Sequence, residues 1–148
     1  MSRYTGPRLK VMRALGTELP GLSRKPLGER NYPPGQHGQR PKRKSGFGVQ
    51  LIEKQKLRFN YGLGEKQIQC LFREAKRDRG PTGDKLLELL ERRLDAVVYR
   101  AKFVPTVFAA RQIVSHGHIK VNGRRVNVSS FRCRVGDVVE LTEKARQL

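Results

Sequence analysis

The chain has 148 residues with 32 Lys and Arg against 13 Asp and Glu, a formal net charge of +19 at pH 7. That excess is far beyond what solubility requires and calls for a polyanionic partner. No run approaches the roughly 18 apolar residues of a membrane span, and no stretch joins a basic face to a strongly apolar one suited to a lipid surface, so nucleic acid is expected and a membrane partner is not.

Residues 1–48 carry 11 Lys and Arg against 2 acidic residues, 6 of the 8 prolines and 8 of the 15 glycines. With so few large apolar side chains they cannot bury much core alone, and an extended basic arm is expected. Met1 to Pro7 lack the apolar core of a secretory signal, and their Pro and Gly disfavour an amphipathic transit helix. The protein is expected to work in the compartment where it is made. Tyr32-Pro33-Pro34-Gly35-Gln36-His37-Gly38 reads as a loop, fixed by its prolines and turned by its glycines, and the charge cluster Arg40-Pro41-Lys42-Arg43-Lys44 follows it.

Residues 49–90 read as a small helical domain. The first helix runs from Gln50 to Asn60 and closes at Tyr61-Gly62-Leu63-Gly64. Ile68, Leu71, Phe72 and Ala75 then place one apolar stripe on a helix from about Glu65 to Arg77, ended by Arg79-Gly80-Pro81. A third helix begins near Thr82 or Asp84. Its wide stripe, Leu86, Leu87, Leu90, Leu94, Val97 and Val98, is read as one continuous element with Arg92, Arg93 and Arg100 directed away from it.

Residues 91–148 form the third region. Thr106 is a candidate cap for a helix whose apolar side is Phe108, Ala109, Ile113 and Val114 and which ends at Gly117. Arg111, Gln112 and Ser115 are expected to stay accessible. Ile119 and Val121 alternate with His118 and Lys120, Asn122-Gly123 favours a tight hairpin turn, and Val126 and Val128 return on the partner strand. Gly136-Asp137 then turns into a strand from Val138 to Leu141. The expected fold is therefore α+β: an extended basic arm, a small helical domain, and a helix-helix module carrying a small antiparallel sheet.

Cys70 and Cys133 lie far apart without a Cys-x-x-Cys partner, so they read as buried thiols and supply neither a disulfide framework nor a zinc site. No metal and no cofactor is expected. His37, His116 and His118 are read as hydrogen-bonding groups.

In order along nearly the whole chain, several blocks resemble the bacterial-type small-subunit ribosomal protein S4 family, whose RNA-binding module recurs in other RNA-handling proteins. Tyr32 to Gln39 resemble its N-terminal loop, Glu53 to Arg58 its first helix, and Tyr61-Gly62 with Glu65-Lys66-Gln67 the next turn. Leu90 to Asp95 and Ala110 to Val114 resemble the two module helices, and His116 to Gly123 with Gly136-Asp137 its strands. Three departures stand out. The cysteine knuckle of some members is absent, Val107 stands where many carry Arg, and the family usually continues for several tens of residues beyond the equivalent of Leu148.

The resemblance implies a structural constituent of the small ribosomal subunit, not an enzyme. Such a protein is a primary binder of the 5′ domain of 16S-type ribosomal RNA, nucleates subunit assembly and influences translational accuracy. Its implied partners are small-subunit ribosomal RNA, neighbouring small-subunit proteins and mRNA where it enters the subunit. Its implied location is the small subunit in the cytoplasm, with an organellar matrix or stroma left open. Two alternatives are a small ribosome-rescue RNA binder and an RNA-modifying enzyme carrying the same module, in which Arg93-Leu94-Asp95 imitates a catalytic Asp motif. Against the enzyme, Asp95 lies in a helical apolar repeat with no catalytic constellation around it and is read as a helix-surface or capping residue.

RNA contacts are expected to read phosphate spacing and junction shape. In the module they fall to Arg92, Arg93, Arg111, Gln112, His116, His118, Lys120, Arg124 and Arg125. In the arm they fall to Arg3, Arg8, Lys10, Arg13, Tyr32, His37, Arg40, Lys42, Arg43 and Lys44, and in the first helices to Lys54, Lys56, Arg58 and Lys66.

Overall fold

The computed structural model describes residues 4–40 and 43–146. Arg3 and Lys42, two of the expected RNA-facing cations, lie outside the described residues. The chain forms two compact units, Met1–Glu65 and Lys66–Leu148.

In the first unit, the arm contains a helix that the sequence reading does not anticipate, α1 (Arg8–Leu15). It buries Met12 and Leu15, and the chain beyond it buries Leu19 and Leu22. Four spaced apolar residues are enough to anchor a segment whose average composition is polar. Gly16 ends the helix in the left-handed region at φ 66, with its N–H bonded back to the Arg13 and Met12 carbonyls. α2 (Gly46–Asn60) starts four residues before the expected Gln50, because the Ser45 side chain accepts from the Gly48 N–H and caps it. Gly21 lies so close to the end of α2 that a Cβ there would come within 2.2 Å of the Asn60 carbonyl oxygen, and its N–H bonds to Asn60 Oδ1 at 3.0 Å.

The second unit opens with α3 (Glu65–Arg77), whose buried face is Ile68, Leu71 and Ala75; Phe72, expected on that stripe, is 48% exposed. The expected long helix is two helices, α4 (Thr82–Glu91) and α5 (Leu94–Arg100). The break has a specific cause. Arg93 takes an extended conformation and forms an antiparallel bridge with Arg132, flanked by Cys133 N–H to the Arg92 carbonyl at 2.8 Å and Leu94 N–H to the Phe131 carbonyl at 2.8 Å. The loop after the hairpin thus competes with helix continuation and satisfies backbone groups that the end of α4 and the start of α5 leave unpaired.

α6 (Val107–Ser115) is capped by Thr106, whose hydroxyl accepts from the Ala109 N–H at 3.2 Å. Its buried face is Val107, Ala110 and Val114, rotated from the expected Phe108 and Ala109. Three short strands, β1 (Ile119–Val121), β2 (Arg124–Arg125) and β3 (Val139–Leu141), form an antiparallel sheet in the order β2-β1-β3. The return strand is shorter than expected. Val126 still bonds to the Ile119 carbonyl, but Val128 has left the sheet and is half exposed. A short helix, α7 (Glu143–Arg146), follows.

Leu94, Val98, Ala110, Val114, Ile119, Val121 and Cys133 form the core between α5, α6 and the sheet. Both inward residues of β1 belong to it, which fixes the register of the hairpin: a slip of one residue would turn Lys120 into the core. Cys133 meets the expectation of a buried thiol, whereas Cys70 is exposed on α3.

Candidate RNA interface

The module's cations fall into three environments. The first is a buried triad. Asp95, 1% exposed, accepts from Arg93 Nε at 3.0 Å and Nη2 at 2.8 Å and from Arg111 Nε at 2.8 Å. It also accepts from the Ala96 N–H at 3.0 Å. The sequence reading of Asp95 as a surface or capping residue is therefore corrected. Arg93-Leu94 leads into α5, so the pleat at Arg93 and the first turn of the helix bring both charged side chains inward. Arg93, itself 6% exposed, does not point away from the core as expected, and Arg111 is half-buried rather than open. This chemistry is structural: a carboxylate saturated by two guanidiniums and a backbone N–H is not set to abstract a proton.

The second environment is a set of cations tied to acidic neighbours. Arg92 donates Nε to the Cys133 carbonyl at 3.1 Å and Nη1 to Glu88 at 3.0 Å. Lys85 bridges Asp78 and Glu88, and Arg132 grips Glu74 with both terminal nitrogens at 2.5 and 2.6 Å. These contacts hold the Glu74, Asp78 and Glu88 carboxyls below their ordinary range, chiefly through the hydrogen bonds from Arg132 and Lys85, and they raise Arg132 and Lys85. Burial pushes the Cys133 thiol up, as suits an unreactive packing group.

The third environment is a shallow concavity lined by His116, Gly117, His118, Lys120, Arg125, Thr142, Glu143 and Lys144. The His116 and His118 rings meet edge to face at 6.0 Å. Strand register explains the grouping: Lys120 opposes Arg125 on β2 and Glu140 on β3, so these three share the outward side of the sheet. His118 has the same parity. Arg124 opposes Val121 and projects from the other side of the hairpin, so the two adjacent arginines serve different faces. Gln112 is exposed on α6. Lys144 is a member that sequence reasoning missed; the Thr-Glu-Lys run after β3 was its signal, since Thr142 holds the turn by donating its N–H to the His118 carbonyl at 2.9 Å.

In the first unit, Arg13 bonds the Tyr32 carbonyl at 3.0 Å and lies 4.9 Å from the centre of its ring, so this pair braces the loop. Arg8 donates to the Leu22 carbonyl at 3.4 Å. Lys54 pairs with Glu65, Lys56 with Glu53 at 2.7 Å, and Arg58 bonds the Leu63 carbonyl and Gln55. Lys10, His37, Arg40, Arg43 and Lys44 are exposed, as is Lys66 in the second unit. The loop Tyr32 to Gly38 is tight: a Cβ at Gly38 would fall 1.8 Å from the Pro33 carbonyl oxygen, which reserves that position for glycine. Among the described residues no cluster of three or more His, Cys, Asp or Glu could hold a metal, and no helix is long and apolar enough to cross a membrane.

A helix-helix-sheet module with convergent cations along one sheet face has the makeup of a nucleic-acid-binding protein. Residues 3–91 match the ribosomal protein S4/S9 N-terminal domain, and residues 92–139 match the S4 domain. The whole chain is 60% identical to the small ribosomal subunit protein uS4 of Methylobacillus flagellatus, covering 73% of that protein. It is also 60% identical to uS4B of Nitrosomonas europaea, covering 72%, and 56% identical to uS4 of Cereibacter sphaeroides, covering 73%. The chain belongs to the ribosomal protein S4 family. Its relatives are named as ribosomal proteins, not enzymes.

Proposed function

We propose that the protein is a structural constituent of the small ribosomal subunit and binds its ribosomal RNA. The observation that carries this reading is the continuous family match from residue 3 to residue 139, joined to a net charge of +19. Within that role it binds the 5′ domain of 16S-type RNA early in assembly, touches neighbouring subunit proteins and mRNA where it enters, and influences decoding accuracy. It acts in the small subunit of the compartment that makes it.

The module's RNA-binding face comprises the His116, His118, Lys120 and Arg125 concavity, the Arg124 corner and Gln112, and in the first unit the arm contributes Lys10, His37, Arg40, Arg43 and Lys44. Arg3, Lys42 and Lys66 are included on sequence grounds. Arg93 and Arg111 support the module's face through Asp95, Arg8, Arg13 and Tyr32 combine contacts within the first unit with RNA contacts, and Lys54, Lys56, Arg58 and Arg92 exchange a carboxylate neighbour for RNA phosphate. The first unit, which contains the arm, forms one RNA-binding region and the module a second, each adding phosphate contacts and therefore salt dependence.

The test is sedimentation of a lysate containing a tagged full chain. The protein should travel with small subunits and leave them only at high salt. A protein that stays at the top of the gradient in low salt contradicts the reading.

A further inference from the structure

Asn122 and Gly123 form the hairpin turn between β1 and β2, with φ of 51 and 77, the mirror-image turn that matches the twist of paired strands. The turn leaves one feature unexplained. The Asn122 side chain does not face solvent freely but grips the loop before β3. Its Nδ2 donates to Asp137 Oδ1 at 3.0 Å, and its Oδ1 accepts from the Val138 N–H at 2.9 Å. Its backbone N–H also donates to the Val138 carbonyl at 2.8 Å. Asp137 is held in turn by the Arg134 N–H at 2.8 Å. Both atoms of the amide group are thus engaged by one turn of chain.

An asparagine followed by glycine carries a particular chemistry. The next backbone nitrogen, once it gives up its proton to a base, attacks the side-chain carbonyl carbon. The new C–N bond closes a five-membered imide, the amide C–N bond breaks and ammonia leaves. Water then opens the ring at either carbonyl, leaving aspartate or isoaspartate. Glycine favours the attack because it has no Cβ, and here the space a Cβ would occupy at Gly123 is open, with no atom within 4 Å. The chain has four asparagines, Asn31, Asn60, Asn122 and Asn127, and Asn122 alone precedes glycine.

We propose that Asn122 is a deamidation site whose reactivity is restrained by its hydrogen-bonded clasp to Asp137 and Val138. The attack requires the side-chain carbonyl carbon to swing onto the Gly123 nitrogen, and the clasp holds both ends of the amide on Asp137 and Val138. Opening it must precede reaction. Conversion removes the Nδ2 donor and sets a carboxylate against the Asp137 carboxylate, which loosens the β1 to β3 connection. It also puts a negative charge beside Lys120, Arg124 and Arg125, and to that extent the consequence for RNA rests on the function proposed above.

The experiment incubates the full chain at mildly alkaline pH and locates amide-to-acid conversion by peptide mass spectrometry, for the wild type folded, the wild type in urea, and Asp137→Ala. Conversion should concentrate at Asn122, run on the order of tenfold slower in the folded wild type than in urea, and accelerate toward the urea rate in Asp137→Ala, as expected when hydrogen bonds that hold the amide are removed. Equal rates folded and in urea overturn the proposal whether or not the variant folds, and so does an Asp137→Ala that folds yet reacts no faster than the wild type. In a separate arm, Asn122→Asp should bind small-subunit RNA severalfold more weakly than the wild type. A wild type that ignores RNA defeats the proposed function while leaving the deamidation result standing.

Discussion

Arg111 on α6 donates Nε to Asp95 Oδ2 on α5 at 2.8 Å, and Arg93 closes on the same carboxylate from the break before α5. Three charged groups therefore join the two module helices at a point that is almost free of solvent. Breaking a buried ion pair by removing one partner strands the other charge, which costs about 3–5 kcal/mol. Asp95→Ala should lower unfolding stability by about that amount, measured in urea at neutral pH. A decrease below about 1 kcal/mol, typical of an exposed pair, would mean that the triad is not closed in solution.

The outward sheet face and the buried triad predict a split between two kinds of cation. Replacing Lys120 and Arg125 together with Ala should reduce the salt slope of RNA binding by about 2, one for each phosphate that is no longer neutralised, with stability changed by no more than about 0.5 kcal/mol. Arg111→Ala should differ, lowering stability as well as affinity because it leaves Asp95 partly unpaired. Binding isotherms across a salt series and a urea melt on each variant separate the two behaviours.

The core of the second unit predicts a strong packing effect at one strand position. Ile119 is fully buried between α5, α6 and β3. Ile119→Ala should cost about 2–5 kcal/mol, the range for removing a buried aliphatic side chain and leaving a cavity. Thr106→Ala, which removes the cap of α6 and much less buried volume, should cost about 1 kcal/mol. Denaturation midpoints for the two variants test the order.

Acid should destabilise the second unit. Glu74, Asp78, Glu88 and Asp137 all have folded-state pKa values lowered by their hydrogen bonds, the last mainly by the Arg134 N–H and then by Asn122. For a depressed carboxyl, the contribution to stability is present above its unfolded pKa and lost as pH falls through the folded value. Melting temperature should therefore hold between pH 7 and about 5 and fall below about 4. Asp137→Asn should shrink that fall; an unchanged acid profile for the variant would remove Asp137 from the account.

Much of the fold was legible because hydrophobic period and punctuation agreed. The stripe on α3, the Thr106 cap, Gly117 and the Asn122-Gly123 turn all carry local signals, and the resemblance placed them in one family. Two of the misreadings share a cause. Nothing local in Arg92-Arg93 forecasts a break, since it is produced by residues 131–133 arriving from about 40 positions away to form the bridge with Arg132. Asp95 reads as a surface residue until Arg93 and Arg111 fold around it. α1 was hidden because its eight residues, five of them apolar, are flanked by Pro7 and Gly16 and were averaged into an arm rich in Pro, Gly and charge. Of the site, charge and spacing revealed which residues are cationic, but pairing with Glu65, Glu74 and Glu88 and the side of the sheet each residue takes depend on tertiary structure.

The central claim is that a fixed arrangement of cations recognises a particular ribosomal RNA fold and not negative charge alone. It is tested most directly by equilibrium binding of the full chain to the 5′ domain of 16S-type RNA and to an unrelated folded RNA of equal length, across a salt series. The account predicts that affinity for both falls as salt rises, and that at physiological ionic strength the 5′ domain remains bound well after the unrelated RNA has been released. Equal affinity for the two RNAs at every salt concentration would contradict it.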